Sequence, residues 1–439
     1  MSATITKTLS VNKAIQFIED NFATDSFTPN TYFYTGKCTQ WDDEYSPDIA
    51  SYSPQENIKA LRDRIYMKKL YLEDAILCIK RFNWETGVTY TRADHDVEYT
   101  KSSNWSTQES PFYVINSELN VYKCISNNYD SESTVEPTGQ SLEDINLGDG
   151  YIWKFMYALD QDIRDKFVSD TWFPVPYDDR KAFIQTQVED ATIPGTIDYI
   201  HVKNGGTGFT STPTLRVKGD GYGAKAVAVV TNESISSIQI SEKGSSYTFA
   251  EVEIVGNGSG AELTPMISPV LGHGSDASQE LGAFFIEMST KLIGDEDGFL
   301  PTTGTYRNVG IVQNTRHINT NIITDEKINT ISDLSVTDAS GTFQENEKII
   351  GEDTLSEALI YYDDSLASSK VMEIYKINGT FANERVYGQE SGEVATIDLS
   401  TSTLTSVNIT SGDLLYKENL IFIARREIQT EKFIFTIEF

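Results

Sequence analysis

Two stretches of this chain are each written twice, with nearly the same period. Phe209-Thr210 recurs as Tyr247-Thr248, 38 residues on, and Gly219, Gly221, Gly223 and Ala224 recur as Gly256, Gly258, Gly260 and Ala261, 37 residues on. Further along, Gly341-Thr342-Phe343 recurs as Gly379-Thr380-Phe381, 38 residues on, and Glu347 and Gly351 recur as Glu384 and Gly388. A duplicated unit buries its apolar face against its copy, so repeats of this kind build scaffolds. They favour a protein that holds others over one organised around a single catalytic pocket.

The 439 residues exceed what one hydrophobic core usually covers, so several domains are expected. With 39% apolar and 23% charged residues the composition is globular, and the 23 Tyr and 21 Phe suit sheets and interfaces. The formal charge of −30, from 65 acidic and 35 basic residues, argues against nucleic acid or an anionic membrane surface as a direct partner. An acidic surface serves solubility and complements less acidic partners. Cys38, Cys78 and Cys124 are odd in number and widely spaced, which favours buried thiols over a disulfide framework or a zinc site. No basic stretch followed by an apolar one opens the chain, and no run of eighteen apolar residues occurs, so neither a signal peptide nor a membrane-spanning helix is expected.

Apolar spacing predicts a helix over 11–22, on Ala14, Phe17, Ile18 and Phe22, and a second over 55–70, on Ile58, Leu61, Ile65 and Leu70. Strands are expected at Thr31–Thr35, Ala75–Ile79, Phe112–Ile115, Asn120–Ile125 and from Tyr151, with a polar exposed loop over 127–147. Alternation continues through 197–268 and 331–400, at 283–293 and 306–314, and in two closing strands, Leu420–Ala424 and Lys432–Ile437. The glycine triplets mark turns where a side chain would clash or φ is positive.

No motif points to catalysis. Gly219, Gly221 and Gly223 are spaced GxGxG and precede a strand, which is turn chemistry; a dinucleotide fingerprint needs GxGxxG opening a helix. His95, His201, His273 and His317 are too far apart for a helical metal pair, and no HExxH or GxSxG occurs. His273-Gly-Ser-Asp276 holds triad residue types, yet its glycines read as a linker. Asp295-Glu-Asp-Gly298 and Trp41-Asp-Asp-Glu44 lack the calcium-loop pattern and read as solvated turns. Of Tyr199, Phe209, Tyr222 and Tyr247, aromatics able to stack on sugars, Phe209 and Tyr247 hold equivalent repeat positions and are expected in a core. No catalytic, cofactor-binding or metal-ligating residue is assigned.

Outside the repeats, Asn30-Thr-Tyr-Phe-Tyr-Thr-Gly36 with Trp41, Arg81-Phe-Asn-Trp84, Asn120-Val-Tyr-Lys-Cys-Ile125, Pro137-Thr-Gly139, Gly148-Asp-Gly-Tyr-Ile-Trp-Lys-Phe155, Phe173-Pro-Val-Pro176 and the closing run from Glu418 to Phe439 occur in one order. In that order they resemble the gene-product-eight baseplate wedge family of contractile-tailed, T4-like bacteriophages. The resemblance covers roughly residues 10–185, 280–320 and 417–439. It implies a mainly β fold: a two-layer, β-sandwich-like core with a few short helices, drawn from residues 1–190, 271–325 and 415–439. Two small β domains, 191–270 and 326–414, would be inserted in it. It implies a homodimer that binds other baseplate wedge proteins in the virion, assembled in the host bacterial cytoplasm, and it brings no catalytic residue or cofactor. The alternative is a carbohydrate-binding adhesin or tail-fibre-associated receptor-binding protein, which the glycine-rich β repeats also suit. A glycan-cleaving enzyme would need a paired-carboxylate cleft, and no spacing singles one out.

Overall fold

The computed structural model describes residues 6–22, 29–93, 111–302 and 304–439. Strands take 43% and helices 12%, so the mainly β expectation holds. In chain order the elements are α1 (Lys7–Phe22), β1 (Thr31–Gly36), α2 (Pro54–Arg62), β2 (Arg64–Lys69), β3 (Ala75–Lys80), β4 (Tyr113–Ile115), β5 (Asn120–Asn127), β6 (Ile145–Asn146) and β7 (Tyr151–Ala158). Then come α3 (Gln161–Phe167), β8 (Trp172–Val175), α4 (Phe183–Asp190), β9 (Ile197–Thr207), β10 (Thr214–Gly219), β11 (Lys225–Thr231), β12 (Ser234–Glu242), β13 (Ala250–Val255) and β14 (Ser259–Ile267). They are followed by α5 (Ala277–Leu281), β15 (Phe285–Ile293), β16 (Thr305–Gln313), β17 (Lys327–Asn329), β18 (Ser332–Thr337), β19 (Lys348–Gly351) and β20 (Glu357–Asp364). The chain closes with β21 (Val371–Asn378), β22 (Arg385–Gly388), β23 (Val394–Ile397), β24 (Asp413–Ala424) and β25 (Thr430–Glu438).

The second expected helix is corrected. Ser53 accepts the Glu56 amide at 3.3 Å and Pro54 opens α2, but the helix stops at Arg62 and Ile58 is left half exposed. Arg64-Ile65-Tyr66-Met67 is instead a strand, β2, buried along its first four residues. A strand covered on both faces has no two-residue period, so Leu61 and Ile65 mimic a helical stripe. The 127–147 stretch is mostly exposed, as expected, although Ser133 within it is wholly enclosed.

The chain forms two compact units: one of the N-terminal residues to Phe17 with Ile76–Met288 and Phe435–Phe439, the other of Ile18–Ala75 and Ser289–Ile434. In the first, β4-β5-β7-β6 form an antiparallel sheet over an aromatic core of Tyr90, Tyr122, Tyr151, Trp153 and Phe155. In the second, a five-stranded sheet runs β17-β2-β1-β16-β24, with Tyr32, Tyr34, Met67 and Val312 in its core.

Each doubled stretch folds about an internal pseudo-dyad. In the first unit, β10 pairs with β13 so that Arg216 lies opposite Glu253, its own counterpart 37 residues on. The same shift exchanges the β9–β14 and β11–β12 pairings. Each copy's aromatic docks on the other's glycine turn: a Cβ on Gly258 would sit 2.5 Å from the Phe209 ring, and one on Gly221 would sit 2.4 Å from the Tyr247 ring. Asn257 donates to Thr210, while Asp220 accepts the Thr248 and Phe249 amides at 2.9 and 3.1 Å. The third glycines, Gly223 and Gly260, have φ of +88° and +75°. Phe209 and Tyr247 are core, as expected.

The second doubled stretch is a closed barrel in the second unit, ordered β18-β21-β20-β19-β22-β23. Again counterparts face each other, Leu334 opposite Met372 and Ile350 opposite Tyr387. Glu347 accepts the Gln344 amide at 2.5 Å in its own turn and the Glu390 and Ser391 amides, both at 3.1 Å, in the other copy's. Glu384 does the same with Ala382 at 3.2 Å, then Asp353 and Thr354 at 2.7 and 2.9 Å. Gly388 and Gly351 leave room for these carboxylates. Glu347→Ala and Glu384→Ala each orphan three amide donors, so each is expected to cost about 3 kcal/mol, equal within roughly 1 kcal/mol. Urea unfolding of the two variants checks this; one silent variant would mean that the dyad is only geometric.

Candidate functional site

The densest set of buried charge lies in the first unit and starts from Lys123. All of β5 is buried, so its ammonium cannot reach water and must meet carboxylate. Lys123 Nζ lies 2.5 Å from Glu280 Oε2 and donates to His273 Nδ1 at 2.9 Å, with Lys123 and Glu280 side chains only 4% and 6% exposed. His273 Nε2 lies 2.6 Å from Asp198 Oδ2 on β9. Asp198 Oδ1 accepts the Thr196 hydroxyl at 2.8 Å and faces Lys243 Nζ at 3.5 Å, and Lys243 also pairs with Asp144. The result is a continuous lattice, Lys123–Glu280–His273–Asp198–Lys243–Asp144. It ties the first doubled stretch to the β4-β5-β7-β6 sheet.

Local structure sets each member. Asp276 caps α5 by accepting the Gln279 amide at 3.0 Å, and Gly282, at φ +72°, ends the helix. Glu280 is thereby aimed back at its own loop, where Oε1 accepts the Gly274 amide at 2.8 Å. The reading of 273–276 as a linker is therefore corrected. Its residues are packed: Gly274 lies against Val188, Ser275 donates to Gly272 at 3.0 Å, and His273 is a lattice member. Nor is it a triad, because Asp276 serves the helix cap. The one local signal of the lattice was a lysine inside the apolar run Val-Tyr-Lys-Cys-Ile; its partners lie up to 157 residues away.

Electrostatics keeps the lattice ionised. Burial disfavours the Glu280 carboxylate, but Lys123 and His273 outweigh it and bring its pKa down to about 2. Burial likewise opposes Asp198, and His273, Lys243 and Thr196 hold its pKa below the ordinary value. His273 is opposed by burial and by Lys123, yet Asp198 and Glu280 raise its pKa. When the ring carries one proton, that proton sits on Nε2 toward Asp198, leaving Nδ1 to accept from Lys123. A carboxylate with a lowered folded pKa contributes stability above its unfolded value, about 4.3 for Glu, and loses it as pH falls through the folded one. The gap in melting temperature between the native chain and Glu280→Gln is thus expected to be wide at pH 6 and to close toward about pH 2. A gap independent of pH would show that Glu280 contributes no charge. For His273 the sign is opposite: its contribution is full below about 6.5 and declines as pH rises through the raised folded value.

Beside the lattice lies a cavity of about 420 Å³, walled by Phe112, Ile125, Tyr199, Tyr247 and Met266 and carrying Arg92 and Gln279. Tyr222 is 70% exposed and lies outside it. Elsewhere, the acidic turns are structural: Glu296 accepts the Ile293 amide at 2.6 Å and pairs with Lys68 at 2.9 Å, and Glu44 pairs with Arg307 at 2.9 Å. Among the described residues no three His, Cys, Asp or Glu side chains gather in a metal-holding group. His95 lies outside the described residues. All three cysteines are buried free thiols. Every member of the lattice is engaged by another, so what the arrangement does chemically is brace. Compared with known proteins, the chain matches no family model and no curated protein.

Proposed function

We propose that this chain is a structural subunit of the baseplate wedge of a contractile-tailed bacteriophage, acting by rigid geometry and binding surfaces with no reaction of its own. The observation that carries this reading is the way the wedge-like segments bond to one another. Trp84 Nε1 donates to Ser133 Oγ at 3.1 Å, and Ser133 Oγ donates to Asp149 at 3.2 Å, joining the Arg81–Trp84 segment to the Gly148–Phe155 one. Asp149 also accepts the Thr134 and Val135 amides at 2.8 and 3.0 Å, which orders the preceding loop. Tyr122 donates to Gly139 at 2.6 Å, joining the Asn120–Ile125 segment to Pro137–Gly139. Trp84, Tyr122, Cys124, Tyr151, Trp153 and Phe155 share one core. Four of the wedge-like pieces, Arg81–Trp84, Asn120–Ile125, Pro137–Gly139 and Gly148–Phe155, thus form one network, a physical reason for them to occur together.

In the second unit, β1, β16 and β24 come from the early, middle and late wedge-like segments and lie side by side. The two duplicated domains are read as insertions that lengthen the subunit or add a contact. The partners are other wedge proteins and a second copy of this chain, the product resides in the virion, and assembly takes place in the bacterial cytoplasm. The charge of −30 disfavours nucleic acid as partner. Among the described residues no helix is long and apolar enough to cross a membrane.

Co-expression with the other baseplate proteins of the same tail, followed by sedimentation, tests the reading. A dimer that co-sediments with wedge subunits supports it. A strict monomer that joins none of them contradicts it.

A further inference from the structure

We infer that the cavity beside the ion lattice is a receptor for a small hydroxylated carboxylate, a sugar acid of the uronate kind. Its volume of about 420 Å³ lies within the range of small-molecule sites. The lattice cation on its wall, Lys123, is engaged by Glu280 and His273. Arg92 is not: among the described residues its guanidinium makes no hydrogen bond or ion pair. It lies 5.2 Å from the centroid of the Tyr199 ring, and its Nε is closed off from solvent without an acceptor. A planar donor fork left without acceptors beside a cavity matches a carboxylate in two-pronged fashion.

Another lining residue asks for the opposite group. Gln279 Nε2 donates to Asn12 at 2.8 Å, which leaves its buried Oε1 without a donor. The ligand must therefore bring a hydroxyl as well as an anion. Phe112, Tyr199, Tyr247 and Met266 also line the cavity, apolar walls that suit the C–H face of a sugar ring. A fatty acid would leave Gln279 unmet, and a neutral sugar would leave Arg92 unmet. A sugar phosphate shares the oxyanion and the hydroxyls, but its second negative charge would face Asp198 and Glu280, which also line the cavity. The site does not depend on the wedge assignment: either can fail alone.

Isothermal titration of the full chain with glucuronate, glucose and glucose 6-phosphate tests it. Glucuronate is expected to bind at millimolar concentration or below, with glucose at least tenfold weaker. Arg92→Met is expected to weaken glucuronate at least tenfold with the melting temperature little changed, because among the described residues Arg92 loses only its contact with the Tyr199 ring. Gln279→Leu is expected to weaken it by a smaller factor. Absence of glucuronate binding, equal binding of glucose, or full affinity in Arg92→Met overturns the proposal. Tighter binding of glucose 6-phosphate overturns the assignment to a carboxylate.

Discussion

Lys123→Met is expected to destabilise the first unit by about 3–5 kcal/mol, because it leaves Glu280 ionised in a buried site without its nearest cation. The penalty comes from the orphaned carboxylate, so a second substitution should relieve it. Lys123→Met combined with Glu280→Leu is expected to be more stable than Lys123→Met alone, by about 1–4 kcal/mol. Surface pairs set the contrast. Lys225 and Glu242 pair at 2.6 Å with side chains 65% and 55% exposed, and removing either is expected to cost under about 1 kcal/mol. Urea unfolding of the four variants separates these effects. A Lys123→Met chain as stable as the native one would mean that the lattice is not ionised as drawn.

The second large effect is expected at Arg64, in the other unit. This arginine is buried with no carboxylate among its acceptors: it donates to Leu61 O, Thr315 Oγ1 and Ser411 O, each at 2.8 Å. Burial lowers its pKa to about 10, which still leaves it charged at neutral pH. Leu61 lies in the last turn of α2, where the carbonyls carry the negative end of the helix dipole. One guanidinium thus joins a helix end, the segment leaving β16 and the turn before β24. Arg64→Met leaves all three acceptors unmet and is expected to cost about 3 kcal/mol or more. Arg64→Lys is expected to recover little of it, since a single ammonium cannot hold a fork of three directions. Calorimetry checks both variants, and a native-like Arg64→Lys transition would contradict the role given to the fork.

These two residues also show where reading the sequence stopped. The doubled glycines and aromatics were legible because they are the two ends of one contact made twice: Phe209 on Gly258, Tyr247 on Gly221. Strands β1, β4, β5 and β7 were legible because alternation and Tyr- and Phe-rich runs mark them locally. The α2–β2 boundary was not, because Leu61 and Ile65 are four residues apart and buried on either side of a helix end. The lattice was not, because Lys123, Asp198, Lys243 and Glu280 come from separate elements and only the fold brings them together. His273 was hidden by its neighbours, since Gly272 and Gly274 suggest a tether while both have φ near +90° in packed turns. Arg64 fell inside the helix expected over 55–70. What distinguishes it, that none of its acceptors among the described residues is a carboxylate, is a tertiary fact.

Native-state hydrogen exchange tests the central claim, that the first doubled stretch is braced to its neighbouring sheet by buried ions and does not hang on a tether. In the native chain the amides of β9 and β14 should exchange about as slowly as those of β5 and β7, and Lys123→Met should speed exchange in both sets together. If β9 and β14 instead open by themselves, orders of magnitude faster than β5, and Lys123→Met leaves them unchanged, the brace does not exist.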